Sequence, residues 1–172
     1  RWVMSKIEFK GGSAELGASS IKDTITYIGG AYDRCERTFL GFDTVRVSSL
    51  DTQNKDSVMR TVSTAYLTGS FYTKRLPSEL VTMGGDSTLL SSVKYEYTLK
   101  GDSAFGGLGV FPAMTKEITA LYGADEKLSR VRTFDYDDQG NVTKYSVDGD
   151  LNAEIEYHNS ETVRNAVSRI KV

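Results

Sequence analysis

The 172-residue sequence predicts an all-β fold, an open sheet of consecutive antiparallel hairpins with little helix. Apolar and polar residues alternate over short runs, the period-2 pattern of a strand with one face covered. Sixteen glycines punctuate those runs while only two prolines, Pro77 and Pro112, interrupt them. Turn signals recur every 8–12 residues or so, the spacing of an all-β architecture with about a dozen strands.

Taken in order, residues 2–9 read as a strand ending at Gly11-Gly12. Ile21, Ile25 and Tyr27 share a parity, with Asp23 as the exception, before Gly29-Gly30. A polar loop at 51–56 precedes a strand with Val58, Val62 and Tyr66 on one face. Residues 72–83 fit either a hairpin or a short helical turn, and Gly84-Gly85-Asp86 then marks a break. The clearest strand follows: Val93, Tyr95, Tyr97 and Leu99 on one parity, Lys94, Glu96, Thr98 and Lys100 on the other, closed by Gly101-Asp102-Ser103. The glycine-rich stretch 104–110 predicts a loop between two strand groups, 1–103 and 111–172. Beyond it, Ile118, Ala120 and Tyr122 alternate, and so do Ile155 and Tyr157. Asp148-Gly149 between strands predicts a type I′ hairpin, whose two central residues both need positive φ. Residues 160–170 fit a helix with Val163, Ala166, Val167 and Ile170 on one face. The favoured reading there is one helical turn near 161–166 and then a strand over 168–172.

Composition narrows the function classes. Net charge is −2 with both signs interspersed, so no basic stripe awaits a nucleic acid. No stretch approaches the ~20 apolar residues of a membrane-spanning helix. The single cysteine, Cys35, allows no internal disulfide. No cofactor motif appears: Gly106-Gly107-Leu108-Gly109 lacks the lysine and helix of a phosphate loop.

Catalytic chemistry finds little support. His158 is the only imidazole and sits at a strand end. Cys35 lies between arginines but has no partner base nearby in sequence, and one His with one Cys cannot hold zinc. The acidic run Asp135, Asp137, Asp138 before Gly140 partly imitates a calcium loop. The position that needs a bidentate glutamate is Ser146, so a hairpin turn with local Asp and Asn bonds is the expected use.

Residues 132–144 resemble the tyrosine–aspartate (YD) repeat of the Rhs family: Phe134, Tyr136, Asp137, Gly140, Asn141, Val142 and Thr143 stand at its positions. A second stretch, with Tyr32, Asp33, Glu36, Arg37, Phe39, Gly41 and Phe42, resembles the segment before the Rhs repeats in the B component of insecticidal Tc toxins and in related virulence-plasmid proteins. Val110-Phe111-Pro112 and residues 157–172 are similar to flanking parts of the same region. The resemblance implies a curved YD-type sheet, part of a bacterial β-shell wall that shields a C-terminal cargo polypeptide. It implies a secreted or cell-surface protein without catalytic, cofactor or metal sites, whose partners are neighbouring hairpins and that cargo. Only one clear YD unit is present, so the chain is expected to be a fragment of a longer protein. A carbohydrate-binding or adhesion module is the alternative, supported if aromatics form an exposed row on one face and disfavoured if Tyr95, Tyr97 and Tyr122 are all buried. Open sheet edges also predict an edge-strand dimer of the isolated piece.

Overall fold

The computed structural model describes residues 2–11, 19–102, 109–123, 126–158 and 166–172, which form thirteen strands. They are β1 (Lys6–Gly11), β2 (Ser19–Ile28), β3 (Ala31–Asp33), β4 (Thr38–Gly41), β5 (Thr44–Asp51), β6 (Ser57–Tyr66) and β7 (Pro77–Gly84). After these come β8 (Leu89–Asp102), β9 (Gly109–Tyr122), β10 (Lys127–Tyr136), β11 (Val142–Val147), β12 (Leu151–His158) and β13 (Ala166–Lys171). Eleven join one sheet in the order β1-β2-β5-β6-β7-β8-β9-β10-β11-β12-β13, which does not close into a barrel; β3 and β4 pair only with each other. The order follows the chain except where β3–β4 is skipped, as expected when each strand pairs with the one just before it.

Two compact units divide the chain: residues 1–92 with 121–127, and residues 93–120 with 128–172. In the first unit, β2, β5, β6 and β7 are successive antiparallel neighbours, with Ile25 opposite Val47 and Val47 opposite Val62. Tyr27, Phe39 and Phe42 cluster at one end, with ring centroids 4.7 and 5.2 Å apart. Beside them lies Leu40, one of three buried apolar side chains among the described residues. In the second unit the others are Ala113 and Ala120, both on β9. Among the described residues no large side chain is fully buried, so these residues do not form the packed interior of a two-layer domain in either unit.

Alternation predicts the second unit well. Ala153, Ile155 and Tyr157 are half-buried while Asn152, Glu154, Glu156 and His158 are exposed. The same holds for Val93, Tyr95 and Tyr97 against Lys94, Glu96 and Thr98. There the expected pattern ends: Leu99 is exposed and Lys100 is the half-buried residue. The Lys100 ammonium donates to the Tyr136 carbonyl at 2.5 Å and lies over the Tyr136 ring, which draws its stem inward. Ile21 and Val58 also depart from the expected core face, being exposed at 61% and 42%. Each stands near a strand end, where fewer neighbours cover it.

Residues 77–84 are strand, so neither a hairpin nor a helical turn spans 72–83; the turn itself is at 71–75. β13 excludes helix over 166–170, where Val167 and Ile170 pair across to Tyr157 and Ile155. The helical turn expected near 161–166 falls mostly outside the described residues, and so does most of the loop at 104–110. The Asp148-Gly149 turn has the predicted geometry, with φ values of 53° and 81°. The Asp150 amide closes it on the Val147 carbonyl at 3.0 Å.

Candidate functional site

The chemistry of the chain gathers in its turns and on its tyrosine face. At the β10–β11 turn, the Asp137 carboxylate accepts the amides of Gln139 (2.9 Å) and Asn141 (2.8 Å) and the Asn141 side-chain amide (3.0 Å). Burial pushes its pKa up, but the bonds from Asn141, Gln139 and Gly140 together outweigh that and hold it below the usual carboxylate value. Gly140 has φ 86°, a conformation glycine adopts freely, and a methyl group there would rest 3.5 Å from the Phe111 ring. Tyr136 donates its hydroxyl to the Met114 carbonyl at 2.9 Å and meets Phe111 edge-on, 5.8 Å between centroids. Phe134 faces Tyr145 across the ladder at 5.3 Å, and Val142 pairs with Tyr136. The six YD-motif positions thus meet in one hairpin. Both Asp137 oxygens serve the turn, the local bonding expected of this acidic run.

The upstream motif forms the β3–β4 hairpin in the other unit. Asp33 accepts the amides of Cys35 (2.9 Å) and Glu36 (3.1 Å), and Arg37 takes φ 49° to close the turn. Tyr32 is 59% exposed and Glu36 is exposed. Phe39 and Phe42 meet beside Gly30, where a methyl group would make ordinary van der Waals contact with both rings at 3.7–3.8 Å. Gly41 has φ 126°. Phe39, Gly41 and Phe42 line a recess of about 430 Å³ with Val3, Val45 and Tyr66, among others.

Sequence reasoning missed that the aspartate cap recurs. Asp51 accepts the Gln53 amide and Asp86 the Thr88 amide, each at 2.9 Å, as Asp33 and Asp137 do with the residue two places on. Asp86 also accepts the Thr88 hydroxyl, and these bonds lower its pKa, the hydroxyl most. The available signal was an aspartate at the end of an alternating run.

No family model matches the chain, and no curated protein matches it. Among solved structures, the crystal structure of TcdB2-TccC3-TEV is similar at TM-score 0.60 and 12% identity, over 84% of this chain and 10% of that one. TcdB2-TccC3 gives 0.59 and 13%, again over 84% and 10%. The form without the hypervariable C-terminal region gives 0.59 and 12%, over 82% and 9%. The fold is Tc-toxin-like, of the Rhs type. The chain spans about a tenth of the length of these Tc-toxin chains.

On the half-buried face of the second unit, Tyr95, Tyr97 and Tyr136 have hydroxyl pKa values raised first by burial. In the first unit Tyr122 is also half-buried, and its hydroxyl lies 3.3 Å from that of Ser92 in the same unit. The tyrosines are therefore not an exposed row for stacking on sugars, and the carbohydrate-binding alternative is not favoured. An ion pair sits among them: Arg132 donates to Glu117 at 2.7 Å, and the Thr119 hydroxyl donates to the same carboxylate. His158 and Cys35 are both exposed. Among the described residues no three His, Cys, Asp or Glu side chains stand close enough to hold a metal.

Proposed function

We propose that this chain is a non-catalytic wall segment of a secreted or surface-exposed bacterial YD-repeat protein related to virulence toxins. Neighbouring hairpins of the longer polypeptide would flank it, and the wall would shield a C-terminal cargo. The observation that carries this reading is the lack of a covering layer. The tyrosine face is only half-buried, and three apolar side chains alone are buried among the described residues. The face is thus suited to an interior completed by other strands. The likeness to TcdB2-TccC3 supports the same reading, as does the hypervariable C-terminal region named for one of those structures.

The test uses single cysteines in the full-length protein with Cys35 replaced by serine. A bulky polyethylene-glycol maleimide should label Glu96→Cys and Glu154→Cys quickly and Tyr97→Cys and Ile155→Cys slowly. Equal labelling of both faces would exclude a wall with an enclosed side. No imidazole or paired acid is assigned a proton-transfer role, and a hydrolase screen should give no turnover.

A further inference from the structure

The last strands carry a row of alternating charge across the sheet. Asp135 pairs with Lys144, Lys144 with Glu154, and Glu154 with Lys171. A second row pairs Glu156 with Arg169. Both rows end on the outer strand β13, so among the described residues Arg169 and Lys171 have acids on one side and no strand on the other. The opposite face of β13 is equally incomplete. Val167 and Ile170 are 53% and 60% exposed, although their partners Tyr157 and Ile155 on β12 are half-buried. The other outer strand differs. On β1 the acid lies within the strand itself: Glu8 is 3.6 Å from both Lys6 and Lys10, which leaves one positive charge over rather than a row shared with the neighbouring strand.

We infer that the β13 edge is a docking site for an antiparallel strand bearing acidic residues opposite Arg169 and Lys171 and an apolar residue opposite Ile170 between them, the register shift at Ser168 ending the regular alternation before Val167. An edge strand offers main-chain hydrogen bonds to any extended peptide, and side chains set which peptide is accepted. Opposite charges directly across a ladder attract and like charges repel, so the alternation selects a negative strand and rejects a positive one. This rests on the wall reading, whose next strand it describes.

The experiment measures binding of two fluorescein-labelled nonapeptides to the 172-residue chain, one alternating valine with glutamate, the other valine with lysine. At low salt the glutamate peptide should bind about tenfold more tightly, a difference of ~1.4 kcal/mol, and the gap should shrink at high salt. The double variant Arg169→Glu, Lys171→Glu should reverse the preference, whereas Lys6→Glu, Lys10→Glu should leave it unchanged. Far-UV circular dichroism checks that both variants keep their sheet. Equal binding of the two peptides, no binding of either, or a preference that persists in the β13 variant would overturn the proposal. So would self-association that blocks the edge in sedimentation. Any of those results leaves the sidedness of cysteine labelling intact, so the docking inference and the wall reading fail separately.

Discussion

Two Tyr-Asp hairpins in this chain share an aspartate cap and differ in what surrounds it. Asp33 and Asp137 both accept the amide two residues on at 2.9 Å. Tyr136 is packed on Phe111 and bonded to Met114, whereas Tyr32 is exposed. β10, which carries Tyr136, lies between β9 and β11, but β3 has β4 alone. The aspartate therefore acts locally, through a bond it makes within its own turn. The tyrosine acts only where flanking strands supply a surface. The dipeptide is two separate instructions, and the sheet decides whether the second takes effect.

That distinction predicts unequal costs. Tyr136→Ala should lower stability by about 2 kcal/mol, reduced from the full aromatic value because the ring is half-buried, while Tyr32→Ala should change it by less than ~0.5 kcal/mol. Urea denaturation followed by circular dichroism compares them; equal losses would break the contrast. Asp137→Ala should cost about 1–2 kcal/mol, with three hydrogen bonds lost, and Asp33→Ala about 0.5–1 kcal/mol. Faster proteolysis at each turn should follow the same order.

Smaller effects sharpen the same comparison. Gly140→Ala should cost about 1 kcal/mol through its positive φ, and Arg37→Gly should stay within ~0.5 kcal/mol because that backbone is already left-handed; differential scanning calorimetry would rank them. The pH dependence has a definite sign. Asp137 has a folded pKa below its unfolded value, so its contribution is present above about pH 3.9 and is lost as pH falls through the folded value. Tyr95, Tyr97 and Tyr136 have raised values, so stability falls as pH rises above about 10. Melting curves should show the acid loss weakened in Asp137→Asn and the alkaline loss weakened in Tyr136→Phe.

Much of this fold is legible because a one-layer sheet is governed by local rules. The alternation at 93–98 and 152–158 and the Asp148-Gly149 turn needed no knowledge of distant partners. What was hidden depended on neighbours. Lys100 turns inward because Tyr136 receives it, and Ile21 lies exposed because too little covers that end of its strand. Segment 72–83 was ambiguous because its strand begins at Pro77, and a proline there weakens a strand reading. The YD motif was readable as a motif. That Asp51 and Asp86 obey the same capping rule was not, because neither has tyrosine before it.

The strand order has a consequence for how the protein is made. Apart from the skipped β3–β4 hairpin, every strand pairs with one synthesised moments earlier. No long loop must close before a contact forms, so the entropic barrier that slows most β proteins is divided into small steps. A chain leaving the ribosome can add each new strand to a finished edge. The sheet then grows at the pace of translation, and the growing edge remains exposed for only one hairpin at a time.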